Sequence, residues 1–423
     1  MISAIKTLIK VFYLLFLLFI GPIAQAQKLP PEFIPRKGLP NFLYKVQKST
    51  DTVTIAYLGG SITEAHNGWR DQTFSWMQKQ YPKVTFKQVD AAIGGTTSEL
   101  GVYRLEEHVL NYKPDLLFVE FAVNDDENTR ESVLTAMEGI VRKTWLAHQE
   151  TDICFIYTFA DYMLKNYNNE GPPPTVKIME EIADYYSIPS VNLSPKIVQL
   201  INNKKLYPTG KPAIKNDSTF FSADGVHPYP ETGHALYAES IINSIKRLRA
   251  AGTYEHPVGA AYFSKRLDQA TMVSPPSFLN NGVEKISVTD NSDELISRYS
   301  RYLTHVYKLK DTSDVLSFSF TGESIGFLDI IGPASAPLKV SIDNYPPRYI
   351  NRFDKYCFYT RLAFFFIDGL ENKQHKAIIQ LSSKKFDKFQ VIEKKPGEVE
   401  NPEQYSEFSW MVGRILVNGE VNK

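Results

Sequence analysis

Cysteine is almost absent, with only Cys154 and Cys357 in 423 residues. That excludes a disulfide-stapled scaffold. There is also no Cys-x-x-Cys and no clustered His/Cys spacing, so nothing points to a metal site. Cys154 sits in the apolar run Ile153-Cys154-Phe155-Ile156-Tyr157, and Cys357 lies far downstream in sequence of different character. The expectation is two free thiols. An excess of either charge is missing too: Lys+Arg and Asp+Glu both number 47, so the formal net charge is +0. That balance implies no nucleic-acid partner and no acidic-membrane partner. Past the N-terminus no stretch is long and apolar enough to span a bilayer. Internal repeats and low-complexity tracts are absent. What remains is an ordinary globular balance with ample core material, long enough for two domains.

The first 26 residues read as a targeting segment. Lys6 and Lys10 supply the positive start, and Val11 to Ile20 is almost wholly apolar. Ala24-Gln25-Ala26 is a small-x-small cleavage site. The alternative is an uncleaved anchor, but the run is short for a span, and no cysteine lies nearby for lipid attachment. The expected location is secreted or periplasmic.

From residue 53 to about 250, strand-like and helix-like segments alternate. Strand candidates are 53–58, 84–89, 115–122, 153–159 and 188–192. Helical patterns lie near 69–80, 99–110, 129–148, 174–186 and 231–249. Alternation of this kind implies a parallel sheet with helices on both faces. Residues 27–50, rich in Pro and Lys, read as a surface wrap, and 204–223 as a long loop. After about 256 the pattern changes. Leu316-Ser317-Phe318-Ser319-Phe320 and Lys339-Val340-Ser341-Ile342 alternate with period two, with Gly and Pro turns between strands. That predicts a β-sandwich. The expected domains are 45–255 and 280–423, with Pro275-Pro276 in the linker.

Four stretches carry chemistry. Gly59-Gly60-Ser61 ends the first strand, Ala92-Ile93-Gly94-Gly95-Thr96-Thr97 follows the second, and Phe121-Ala122-Val123-Asn124-Asp125 ends the third. Asp224-Gly225-Val226-His227-Pro228 precedes the last helix. In a parallel sheet the first three emerge at one edge, where such sheets bind ligands. Their content fits nucleophilic acyl transfer. A serine hydroxyl needs an adjacent base, and His227 suits Ser61 in that role. Asp224 accepts the other ring N–H and fixes the tautomer. The backbone N–H groups of Ser61 and Gly95 and the Asn124 side chain supply oxyanion donors.

In this order the stretches resemble the four blocks of the SGNH (GDSL-like) hydrolases. Ser61 stands at the family's nucleophile, Gly95 at its second-block glycine, Asn124 at its third-block asparagine, and Asp224 and His227 in its Asp-x-x-His. Gly101-Val102-Tyr103-Arg104-Leu105 is similar to a segment that often follows. The resemblance covers about residues 50–250. It implies a flavodoxin-like three-layer α/β/α sandwich and serine esterase chemistry with no metal and no cofactor. Departures are Gly60 for the usual Asp, Ala122 for Gly, and Asp90 and Ala92 for Asn and Gly. The Gly-Gly-Ser-Ile-Thr form resembles an exported branch acting on polysaccharides. The second half is similar, more loosely, to accessory jelly-roll-like β-sandwiches of carbohydrate esterases.

His66 and Trp69 have two readings, as substrate-binding residues lining the pocket or as helix-start packing. Glu64 reads as a first-turn dipole partner, and His234 as structural. The aromatic stretch 349–366 serves either sugar stacking or a sandwich core. The expected function is an exported serine esterase that removes acetyl or another small acyl group from a carbohydrate. The alternatives are a lipid or aryl esterase and a non-catalytic glycan-binding protein. Glycan identity and oligomeric state are not encoded in these patterns. If the targeting segment is cleaved as read, intact-mass spectrometry of protein expressed in an exporting host will give Gln27 as the first residue. A product beginning at Met1 would refute the cleavage.

Overall fold

Strand formation at the centre follows from burial on both faces. Every residue from Val53 to Gly59 is buried, as expected for an inner strand of a parallel sheet. The computed structural model describes residues 29–423 apart from 49–50, 213–218, 251, 291–293, 393, 395 and 400. The expected targeting segment 1–26 and part of the expected 204–223 loop lie outside the described residues.

In chain order the first half runs β1 (Phe33–Ile34), α1 (Pro40–Lys48), β2 (Thr52–Gly59), α2 (Ser61–Glu64), α3 (Trp69–Gln80), β3 (Thr85–Ala92), α4 (Ser98–His108) and β4 (Leu116–Glu120). It continues with α5 (Arg130–Ala147), β5 (Asp152–Tyr157), α6 (Leu164–Asn169), α7 (Pro174–Tyr185), β6 (Ser190–Asn192), α8 (Ser194–Asn202), β7 (Tyr207–Thr209), β8 (Phe220–Ser222) and α9 (Gly233–Arg247). The main sheet has the order β1-β6-β5-β4-β2-β3. All neighbours are parallel except the edge strand β1, which pairs antiparallel with β6. Counting only the parallel strands, the order is 2-1-3-4-5, the flavodoxin-like arrangement, with its switch point beside β2. Gly59 is in register with Ala92 on one side and Glu120 on the other. Three strand ends therefore share one row.

The second half is a two-sheet antiparallel sandwich. Its strands are β9 (Ala270–Val273), β10 (Glu284–Ser287), β11 (His305–Leu309), β12 (Val315–Gly322), β13 (Ile325–Ile331), β14 (Pro337–Ile342), β15 (Arg348–Asn351), β16 (Arg361–Ile367), β17 (Lys373–Leu381), β18 (Trp410–Asn418) and β19 (Val421–Asn422). One sheet runs β10-β11-β18-β13-β16 with β9 on β18, and the other runs β15-β14-β17-β12-β19. Alternating burial along β12 and β14 places one side of each strand in the sandwich core.

Several boundaries differ from the sequence reading. Residues 27–50 are not only a wrap. α1 buries Phe42, Leu43 and Val46, and Asp152 Oδ2 accepts Phe42 N–H at 2.8 Å. The expected linker does not separate two bodies, because β9 is already a sandwich strand and Pro276 opens a short helical turn, Pro276–Phe278. Ahead of it, residues 256–269 dock on the first half. Asp152 Oδ1 holds His256 at 2.8 Å, Glu138 accepts Phe263 N–H at 2.9 Å, and Arg142 meets Asp268 at 3.0 Å. The two cysteines are buried and free.

Trp69 opens α3 after Gly68 and is wholly buried. Its indole meets Tyr57 edge-on at 5.5 Å and Phe118 at 5.9 Å. The substrate-binding reading of Trp69 is therefore corrected: the α3 start turns it inward, under the sheet. Trp69→Ala should cost about 3–5 kcal/mol of stability, as for other buried aromatics cut to alanine. Urea unfolding will show this as a lowered midpoint; a change below ~1 kcal/mol would mean that the indole is not core.

Candidate active site

β2 ends in Gly59-Gly60, and α2 begins at Ser61. Glycine is required here by crowding. A Cβ on Gly59 would stand 2.9 Å from the Glu120 carbonyl, and one on Gly60 would stand 2.2 Å from Asn124 Oδ1. The Asn124 side chain thus lies against the Gly60-Ser61 turn, and no larger residue fits beneath it. Glu120 sits fully buried below. It accepts hydrogen bonds from Thr63 at 2.8 Å, Thr158 at 2.7 Å and the Gly60 backbone. Burial raises its pKa, against those bonds.

Ser61 Oγ is 2.8 Å from His227 Nε2, and His227 Nδ1 is 2.7 Å from Asp224 Oδ2. The Asp224–His227 loop is shaped by its own carboxylate, since Asp224 Oδ1 accepts the backbone N–H groups of Val226 at 2.9 Å and His227 at 2.8 Å. Gly225, at φ +86°, faces Asp161, and Asp161 N–H donates to its carbonyl at 2.8 Å. The partial burial of Asp224 pulls its carboxyl up. The hydrogen bonds from His227 and Val226 outweigh that and bring it down to about 2. The carboxylate is therefore ionised through the neutral range and keeps the His227 Nδ1–H pointed at it. Nε2 is left as the atom facing Ser61.

The glycine loop is anchored at both ends. Ile93 N–H donates to Gly59 O at 3.0 Å, and Ser98 N–H donates to Asp125 Oδ1 at 3.0 Å. Asp125 is fully buried, and burial pushes its carboxyl up to about 7 despite those Ser98 bonds. Gly94 comes close to Ser61: a Cβ there would be 3.5 Å from Ser61 Cβ. Gly95 has φ +71°, is exposed, and has open space where a side chain would be. Arg104, fully buried, reaches the carbonyls of Ala91 and of Gly59, the latter at 3.2 Å, and burial lowers it to about 9.

The structure therefore brings Ser61, Asp224 and His227 into one hydrogen-bonded chain and sets Asn124 and the Gly94-Gly95 loop beside it. It does not bring in Trp69. His66 is on the surface, its side chain 90% exposed and 3.9 Å from Asp71. His234 is buried, accepts Trp69 N–H at 3.1 Å, and is pushed down to about 4 by burial and by His227. Sequence reasoning missed Glu120 and the full role of Glu64, and it quoted Asp125 without giving it a role; the available signal was a charged residue at the end of an otherwise apolar strand, as Glu120 is after Leu116-Leu117-Phe118-Val119.

Residues 57–236 match a family model described as GDSL-like lipase/acylhydrolase. This part of the chain is a GDSL-like lipase/acylhydrolase domain. All five residues placed at the site from the family resemblance, Ser61, Gly95, Asn124, Asp224 and His227, fall inside it. A two-domain esterase active on acetylated mannans is similar in fold to the GDSL-like domain and sandwich together. The TM-score is 0.69 at 20% identity, over 93% of this chain and 99% of that one. A structure of such an esterase co-crystallised with mannopentaose has TM-score 0.65 at 20% identity, over 88% and 92%. No curated protein sequence matches the chain.

Gly60→Ala tests the packing of Asn124. The added methyl displaces the asparagine, and kcat on an aryl acetate should fall by about 10²-fold, the scale of an ångström-level misplacement. An unchanged kcat would show that Asn124 position is immaterial.

Proposed function

We propose that the protein is an exported serine esterase that removes acetyl groups from a carbohydrate. The observation that carries this reading is the unbroken hydrogen-bonded chain Ser61–His227–Asp224 at the switch point of the sheet. Ser61 Oγ attacks the acyl carbonyl while His227 Nε2 takes its proton. The tetrahedral oxyanion is met by N–H of Ser61 and Gly95 and by the Asn124 amide. The proton then passes from His227 to the leaving sugar oxygen as the C–O bond breaks, and water releases acetate from the acyl-serine by the same steps. Support for the carbohydrate comes from the full-length fold likeness to esterases described as active on acetylated mannans. The sandwich beside the site would help present such a polymer. Ser61 and His227 stand at an open surface, His227 with half its side chain exposed, which suits a polymer better than a buried lipid chain.

Ser61→Ala should lower turnover by at least about 10³-fold while leaving the fold intact. On p-nitrophenyl esters, rates should decline from acetate to butyrate to octanoate, because a small acyl site excludes added methylenes that an accommodating pocket would reward with about 1–3 kcal/mol. Acetate release from a panel of acetylated polysaccharides identifies the glycan. Octanoate as the best ester, or a Ser61→Ala protein with more than about a tenth of wild-type activity, would sink the reading.

A further inference from the structure

The bond that ties the nucleophile turn to the glycine loop continues into the second domain. Glu64 closes the short helix that Ser61 opens. Its Oε2 accepts Gly94 N–H at 2.8 Å, one residue before Gly95. Its Oε1 is held by the Tyr302 hydroxyl at 2.9 Å and by Arg301 Nη2 at 2.9 Å. The Tyr302 hydroxyl also contacts the Ala92 carbonyl, and Arg301 Nη2 approaches the same carbonyl at 3.4 Å. Arg301 Nη1 pairs with the Asp90 carboxylate, which Arg70 shares, while Asp90 Oδ1 accepts Ala92 N–H at 3.1 Å. Tyr302 itself is fixed, its carbonyl 3.1 Å from His108 Nε2 on α4.

Ile93 and Ser98 are the glycine loop's anchored ends, and the space beside Gly95 is empty. Between the ends, the buried Thr96 hydroxyl folds the loop back onto the Ile93 carbonyl at 2.8 Å, and the Glu64–Gly94 bond ties the loop to the turn that carries Ser61. That carboxylate is also close to the chemistry, because a Cβ on Gly94 would lie 2.8 Å from Glu64 Oε2 and 3.5 Å from Ser61 Cβ. Unpaired, its negative charge would oppose an oxyanion forming at the same place. Paired with Arg301 it is offset.

We propose, on the esterase reading above, that Arg301 and Tyr302 are positioning residues for the oxyanion loop. They lock Glu64 in the one orientation that holds Gly94, and they neutralise its charge, so that Gly95 N–H is preset where the oxyanion develops. The second domain thereby completes the active site of the first, independently of any sugar it binds.

The test uses full-length protein and p-nitrophenyl acetate, which carries no sugar. Tyr302→Phe, Arg301→Gln and Glu64→Ala should each lower kcat by about 10- to 100-fold with KM nearly unchanged, as for a loss felt only in the transition state. Affinity for an alkylboronic acid, which forms a tetrahedral adduct on Ser61, should fall by the same factor. Arg301→Lys should recover part of the loss. Because the residues act through one bond, the Tyr302→Phe/Glu64→Ala double variant should be no slower than Glu64→Ala alone. If Glu64→Ala does not fold, Tyr302→Phe/Arg301→Gln closes the same cycle. Folded Tyr302→Phe and Arg301→Gln proteins with wild-type kcat, losses confined to KM, or losses that multiply in the double variant would overturn the proposal. Failure of the esterase reading looks different: wild-type protein would hydrolyse no ester, or Ser61→Ala would keep its rate, and the proposal would fall with it.

Discussion

Gly59, Ala92 and Glu120 end three adjacent parallel strands in one register row, and the site depends on that alignment. Shifting any of the three by one residue would turn its side chains to the other face and move its loop by a strand step. Two devices hold the row. Arg104 ties the carbonyls of Ala91 and Gly59 from one side of the sheet, and Glu120 gathers Thr63, Thr158 and the Gly60 backbone. A buried arginine and a buried glutamate are costly alone; three hydrogen bonds meet the Glu120 carboxylate, whereas Arg104 bonds two carbonyls through its Nη atoms and keeps a buried Nε without a partner. The Gly60-Ser61 turn is thus built on a polar floor inside the sheet.

Local sequence revealed the parts that depend on local physics. An apolar run buried on both faces and stopped by glycine has few alternatives to an inner strand, so β2, the chain-order placement of Ser61, and the Asp-x-x-His turn were legible. α3, from Trp69 to Gln80, falls where its helical pattern placed it. α1 was hidden because its neighbours are Pro and Lys, while its reason to form is the burial of Phe42 and Leu43 against a sheet whose Asp152 stands 110 residues later. Trp69 could not be assigned because the direction in which a helix start turns its side chain is set by the sheet below. In the aromatic stretch 349–366 the core reading holds for Phe353 and Leu362, whereas Tyr349, Tyr356 and Tyr359 are about half exposed.

The two halves are less separable than their sequence character implies. One apolar cluster runs through both, joining Leu100, Val102 and Ile140 to Leu303, Leu328 and Leu416. At its rim Tyr103 packs on Phe366 at 5.1 Å, and Arg414 pairs with Glu107 at 2.6 Å. The change of period at about residue 256 marks a change of architecture, not a hinge. Cutting the chain there would expose the α4 face to water, so loss of activity on truncation would report unfolding as readily as loss of a sugar-binding surface. Single-atom changes at the interface separate those causes, and whole-domain removal does not.

The departures from the family pattern have a common physical sense. Gly60 stands where the resemblance leads one to expect Asp, and the space an Asp side chain would need is filled by Asn124. Asp90 stands where Asn is usual, and its added charge is met by Arg70 from within the domain and Arg301 from outside it. One substitution opens room for Asn124 to lie on the Gly60-Ser61 turn, and the other gives the sandwich an ionic handle on the opposite loop. Arg301 is separated from Glu64 by 237 residues, so no local pattern could have linked them. If Arg301 and Tyr302 position the loop as proposed, the site responds to the docking of the two domains as a whole. A buried, largely apolar interface with an ion pair at its rim joins the α/β domain to its sandwich here.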